Sequence, residues 1–376
     1  MTATAPRPRT VGVNDKVTKA DILGTERRWR RGPAPVPAGL SVKDDGSPDY
    51  GLFGPGSMVW EVLLHPAMVV FHHSAQAQSQ AVYAPIEAGI RDWEPMARKG
   101  RAGELTMFDA FERASRGAGM HLPMWLGDTP TATHMATWLH KIHSRVTGDV
   151  IDMGRPELGG YDAASPRESM WAALTEMHPM LRAFEAFAYR DGKAPHRLTP
   201  AQRDQFIDEV GAYCRLHGAI EEEIPHTMAD LDALYAKYAR FFEHSTTLEL
   251  FPETGEDYLK ANTRSMVKNF KLSHLRAAKP IALVYILLAK PVLGAMPEAT
   301  RRAKGLTAKQ SASAVRSTRR ARPLAWLLQQ PFIERRVMRT MWGPDGVRLF
   351  ESARVLHAQA KAATITAATM SASVTR

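Results

Sequence analysis

The residues of this chain best suited to chemistry lie in the stretch WLHKIHSRVTGD, residues 138–149. On a helix of 3.6 residues per turn, His143 falls within roughly a quarter to a third of a turn of Ala136, Leu139, Ile142 and Val146. Its ring is therefore expected to face the interior, while His134 points away and His140 sits at the edge of the apolar stripe. An imidazole in that place has two readings. It is hydrogen-bonded into the core, or it ligates a metal or a haem in an apolar pocket. A second candidate is the pair Arg113 and Arg116, which share one face of a helix expected over 107–116 with Thr106 as its cap. The two cations either form a solvated helix end, favoured by the C-terminal dipole, or bind an anion such as a haem propionate.

Other groups carry weaker chemistry. The run Glu221, Glu222, Glu223 points in three directions on a helix and has no Glu-x-x-His companion, which argues against a di-iron site. His72 and His73 fall on adjacent helix faces, so only one of them is expected to point inward. His65, His72, His73, His121 and His178 all remain candidates for the side of a pocket opposite His143. The single cysteine, Cys214, excludes an internal disulfide and any multi-cysteine metal site, and it reads as a small core residue. No GxGxxG, GxxxxGK[ST], GxSxG or HExxH motif occurs, so nucleotide, serine-hydrolase and zincin chemistry lack their usual warrants.

The elements that must position these residues are helical. Apolar residues recur at the spacing of three and four in 166–190, 199–216 and 226–242, and strand-like alternation is sparse. Ser57 caps a short helix stopping at Pro66, a second helix follows over 67–81, and another starts at 129–133 and carries His143 to a C-cap glycine at Gly148. Pro179 is expected to kink the helix that begins at Pro166. The most hydrophobic stretch, 280–294, has an apolar run of nine residues between Pro280 and Lys290. As a helix it spans roughly 14 Å, about half a bilayer core, so it reads as a buried helix. The fold expected is all-α, with residues 1–40 as a mobile arm and linker, 41–300 as one large helical domain, 301–350 as a basic helical extension and 351–376 as a frayed tail.

Charge sharpens that division. The net charge of +10 suggests nucleic acid until it is divided along the chain. Residues 301–376 hold 15 Lys and Arg against 3 acidic residues, leaving residues 1–300 with 34 against 36. The folded majority is slightly acidic, so no nucleic-acid partner is expected. The extension either packs its apolar side on the core or lies on an anionic membrane surface as a basic amphipathic helix, and packing is the expectation for its apolar side. The N-terminus lacks the apolar core of a signal peptide, and with one cysteine a cytoplasmic location, with contact at a membrane through 301–350, is the expectation.

Six segments, in order, resemble one known family. They are GLFGPGSMVWEVLLHPAMVV, FERASRG, IHSRVTG, GYDAASPRESMW, AYCRLHGAIEEEIPHTMADLDALY and KPVLGAMPEATRRAKG, spread over about 50–305. The family is the DUF2236 group, which includes the latex-clearing rubber oxygenases and the MpaB oxygenase. The resemblance implies an all-helical, globin-like core holding haem b, with the histidine of a His-x-x-Val-x-Gly motif as proximal iron ligand; here the motif is His143, Val146 and Gly148. It places the family's haem-facing arginine on Arg113 and a following basic residue on Arg116, at a propionate or at the distal face. Gly117 stands where a threonine usually follows, and Thr147 where an arginine often does. The family's carboxylate base matches no one residue. The reaction implied is oxidative cleavage of a carbon–carbon double bond in an isoprenoid or other apolar substrate by dioxygen. A haem-binding or sensing protein without turnover, or a haem-free helical interaction module, are the alternatives.

Overall fold

The computed structural model describes residues 11–23 and 33–374. Part of the basic helix expected over 19–31 lies outside that range; the described part is α1, Lys19–Leu23. The chain is all-α. Seventeen α-helices occur among the described residues, beside one antiparallel pair of two-residue strands, β1 (Thr147–Gly148) and β2 (Tyr161–Asp162).

Helix starts follow local chemistry. Ser57 caps α2 (Met58–Leu63), its side chain accepting from Trp60 N, and α3 (Pro66–Gln80) begins on its proline, whose missing N–H would be unpaired there anyway. α4 (Ala84–Trp93) and α5 (Pro95–Arg101) also carry proline in the first turn. α6 (Met107–Leu126) opens with a reciprocal Thr106 and Asp109 capping box and runs ten residues beyond its expected end, because buried Ala118, Leu122 and Trp125 continue its apolar stripe. α7 (Thr129–His143) is capped by Asp128. α8 (Pro166–Phe187) continues through Pro179 as one helix, and α9 (Pro200–Leu216) and α10 (Met228–Lys237) open with capping boxes at Thr199 and Thr227.

The core forms where α3 lies along α8, the most extensively packed helix pair of the molecule. Seventeen of the 22 residues of α8 are buried, so this helix is covered on nearly every side. Phe71 of α3 stacks on Phe187 of α8 with ring centroids 4.1 Å apart and planes 6° apart. α6 packs on α7 and on the last helix, α17, so the arginine helix and the histidine helix are neighbours.

The second half consists of α11 (Tyr258–Lys268), α12 (Leu275–Ile281), a π-helical turn over Ala282–Leu287, α13 (Ala289–Ala295), α14 (Glu298–Ala303), α15 (Ala308–Arg320), α16 (Arg322–Leu328) and α17 (Pro331–Val374). The hydrophobic stretch at 280–294 is only partly the buried helix expected. Leu288 and Val292 are buried, yet Ile286 and Leu287 of the π-helical turn face solvent. No helix among the described residues is long and apolar enough to cross a membrane. The basic extension packs part of its apolar side on the core: Met338, Met341, Trp342, Leu349 and Phe350 are buried, whereas Trp326, Leu327 and Phe332 are exposed. α17 bends at Gly343, whose φ of 72° suits a residue without Cβ, and the bend lets both halves face inward. The stretch expected to fray after residue 351 continues as helix, with Ala353 and His357 buried and Lys361 paired to Glu61 at 2.8 Å.

Candidate functional site

His143 is the last residue of α7. Ala132, Met135, Ala136 and Leu139 form the buried face of this helix, while His134 and His140 are exposed. Ile142, expected beside His143 on the buried stripe, is instead exposed. The helix stops five residues before Gly148, with Ser144 as its C-cap, so Gly148 is not the cap expected from the sequence. Gly148 is in β1, opposite Tyr161, and a Cβ there would come within 2.5 Å of the tyrosine ring. Only glycine admits that approach.

The His143 ring is half-buried and makes no hydrogen bond among the described residues. Burial pushes its pKa down to about 4, with the neighbouring His121, His140 and Arg113 acting in the same direction. The imidazole is neutral at neutral pH, and its lone pair is free.

The end of α4 braces this region, a role the sequence reading missed. Arg91 is fully buried and donates to the carbonyls of Ile151 (2.9 Å), Val150 (3.0 Å) and Leu248 (3.0 Å). Asp92 accepts from Arg91 Nε at 2.6 Å and from Tyr161 Oη at 2.8 Å. Trp93 Nε1 donates to Thr147 O at 2.8 Å, and Glu94 accepts from Arg113 Nε at 2.6 Å. Four consecutive residues thus hold the loop after His143, the strand pair and the candidate arginine. The clue in the sequence was the acid and base alternation of RDWE, which has no recognisable spacing.

Arg113 and Arg116 share a face of α6 as expected. The guanidinium of Arg113 folds back over Gly117, where a Cβ would stand 2.9 Å from Nη1. The glycine that replaces the family's threonine therefore makes room for the Arg113 and Glu94 pair, whose carboxylate Oε1 is buried without a partner. Arg116 pairs with Glu112 at 3.3 Å and leaves its Nε buried and unpaired.

Behind α6 lies a polar cluster inside the apolar core. Glu176 of α8 accepts from Tyr213 Oη at 2.8 Å and lies 2.9 Å from His121 Nδ1, with His72 Nε2 at 3.7 Å. Burial pushes Glu176 up, but the imidazoles of His121 and His72 more than offset it and hold the carboxyl well below the usual range. Both His72 and His73 are buried, against the expectation that only one would be. Trp342 of α17 covers both rings, each at a centroid distance of 6.0 Å, so both helix faces have cover. Of the other histidines, His65 reaches Tyr189 O at 3.1 Å and His178 reaches Tyr235 Oη at 3.4 Å. Of the five candidates, His121 is within electrostatic reach of His143; His217, which the sequence reading did not name, is as well. The acidic run at 221–223 is engaged locally, Glu221 with Arg215 and Glu223 with Lys237 and Tyr238. Cys214 is buried and its thiol is pushed up to about 12, as suits an inert core residue.

Several buried polar atoms of this region have no hydrogen-bond partner: Nδ1 of His72, Nε2 of His73 and Nε2 of His217, while His72 Nε2 and Glu176 Oε1 face each other at 3.7 Å, too far for a hydrogen bond. Such atoms are costly unless something else occupies the space beside them. Among the described residues no group of three or more His, Cys, Asp or Glu side chains could hold a metal ion. A metal carried by its own macrocycle needs only one axial donor, and the free, neutral His143 with cationic Arg113 nearby fits that requirement. A cleft of about 620 Å³ opens beside the strand pair; its lining includes Gly148, Tyr161 and Ile220 but not His143, Arg113 or Arg116.

No curated protein matches the chain, and no solved structure does. Residues 60–330 match the family described as "ER-bound oxygenase mpaB/B'/Rubber oxygenase, catalytic domain", a span holding His143, Arg113, Glu94 and the Glu176 cluster. The chain belongs to this oxygenase family.

Proposed function

We propose that the protein is a haem b-dependent oxygenase that uses dioxygen to cleave a carbon–carbon double bond in an isoprenoid or other apolar substrate. The observation that carries this reading is the His143 ring, half-buried, neutral and without a hydrogen-bond partner, within electrostatic reach of Arg113. In this reading His143 would hold the haem iron through a ring nitrogen. Haem iron, once bound, supplies the activation of dioxygen that no side chain can. Arg113 and Arg116 offer positive charge to the propionates or to the face where dioxygen binds. In this reading Glu94, tied to Arg113 and with its Oε1 unpartnered, would serve as the family's carboxylate. The Glu176 and Tyr213 pair fixes the His121 ring from behind, so its other nitrogen faces away from the pair. The surrounding apolar core excludes water, which favours a substrate without charge. One double bond and one dioxygen give two carbonyl products, a balance that needs no added reductant. A cytoplasmic location with contact at a membrane surface belongs to the same reading.

The test is oxygen uptake by haem-reconstituted protein with polyisoprene oligomers and with unsaturated lipids, products being trapped as carbonyl hydrazones. Uptake matched one to one by new carbonyl pairs supports cleavage. Oxygen binding without consumption across both substrate classes supports a second reading, a haem protein without turnover. Gly117 favours that alternative, because the family's threonine hydroxyl is missing from the arginine face.

A further inference from the structure

The turn joining α11 to α12 reverses the usual arrangement of a water-facing surface. Its polar side chains point inward: Asn262, Ser265, Asn269 and His274 are buried. Asn269 Nδ2 donates to Gly103 O (2.8 Å) and Leu105 O (3.1 Å), Ser265 Oγ accepts from Leu105 N (2.8 Å), and His274 Nε2 lies 3.3 Å from Asp15 O. Its large apolar side chains point outward, Leu272 being 78% exposed, Val267 69% and Phe270 46%, with Leu275 also exposed. Ser265 and Asn269 hold the backbone to the segment between α5 and α6 and His274 holds it to the N-terminal segment at Asp15, so the exposure belongs to the folded turn.

Single exposed apolar residues are ordinary on a soluble surface. Here seven of the 19 such large side chains among the described residues fall within 259–287, a short stretch that continues through Ile286 and Leu287. Charge accompanies them. From Tyr258 to Pro297 the chain has seven Lys and Arg and no Asp or Glu. Lys268, Arg276 and Lys279 are exposed and carry no ion pair among the described residues.

We propose that this turn docks the protein on a membrane surface containing anionic lipid. Phe270, Leu272 and Val267 enter the boundary between headgroups and acyl chains, and Lys268, Arg276 and Lys279 meet the lipid phosphates. A nucleic acid would engage the cations and leave the apolar side chains in water. A second copy would cover the apolar side chains but bring two basic surfaces together, at a cost in repulsion. An anionic bilayer satisfies both. This differs from the contact through 301–350 expected from the sequence, where Met338, Met341, Trp342, Leu349 and Phe350 are committed to the core while Trp326, Leu327 and Phe332 stay exposed. The proposal stands without the oxygenase reading, since docking is measured on the chain itself.

The test is flotation of the full chain with vesicles of phosphatidylcholine, with and without phosphatidylglycerol, over a range of salt. The native chain is expected to float with the anionic vesicles and to be released by salt. The variant Phe270→Ser/Leu272→Ser is expected to lower vesicle partition by about tenfold or more for each side chain, and Lys268→Glu/Arg276→Glu to abolish the preference for anionic lipid. Both variants should keep the native melting temperature and helical circular-dichroism spectrum. Failure of the native chain to float, or native-like flotation of both variants, overturns the proposal. So does flotation lost instead in Phe332→Ser, in the first turn of α17, or a native dimer by light scattering that Phe270→Ser/Leu272→Ser dissociates.

Discussion

The loop that follows His143 and the turn between α11 and α12 are built alike and end differently. Each is pinned to a neighbouring helix or chain segment by side-chain hydrogen bonds: the first by buried Arg91, half-buried Asp92 and exposed Trp93, the second by buried Ser265, Asn269 and His274. What each leaves unsatisfied is opposite in kind. The first leaves a neutral imidazole and buried polar atoms with no protein partner. The second leaves apolar side chains in water. Under the two proposals, a lone-pair acceptor would satisfy the groups inside, and an apolar, anionic surface those outside.

The comparison breaks most readily at Arg91. Arg91→Met keeps much of the side-chain volume but leaves three carbonyls and Asp92 without their donor, so urea unfolding should show a loss of about 3 to 5 kcal/mol. A loss below about 1 kcal/mol would show that the brace is not needed to hold the loop.

A second effect of nearly that size lies on the same helix. Glu87 of α4 is buried, accepts from Tyr258 Oη, and is pushed by burial from an ordinary 4.5 up to about 7. Because its folded pKa is the higher one, its contribution to stability is fully present below pH 4.5 and is lost as pH rises through 7. The change amounts to about 3 kcal/mol. Glu87→Gln should flatten the unfolding free energy between these pH values relative to the native chain, and an unchanged slope would refute the shift. Gly148→Ala should cost about 1 to 3 kcal/mol, because the new Cβ meets the Tyr161 ring that Asp92 holds in place. The smallest effect sharpens the contrast from the other side. Leu272→Ser should change stability by less than about 0.5 kcal/mol, since the exposed side chain buries little on folding.

Much of this was legible in the sequence. Ser57, Thr106, Thr199 and Thr227 announce their helices through local hydrogen bonds, which a short window of residues contains in full. The resemblance and the wheel together singled out His143. The helix end was misplaced because Gly148 has a long-range cause: it accommodates Tyr161 across a strand pair rather than ending a helix. The brace at 91–94 was invisible for a related reason. Its partners lie 19 to 157 residues away, as with Glu94 and Arg113 or Arg91 and Leu248, and no periodicity encodes such contacts. Both His72 and His73 are buried because Trp342 arrives from α17, which no local rule anticipates. The outward face of 267–275 escaped notice since hydrophobic spacing assigns apolar residues to the core by default.

The most direct measurement is a haem titration of the purified native chain and of His143→Ala, followed by absorption spectroscopy. The account predicts one haem per chain with a Soret band in the native protein, and a band lost or strongly shifted in the variant, whose melting temperature should stay within a few degrees of native. Identical spectra for the two proteins, or no band in either, would contradict it.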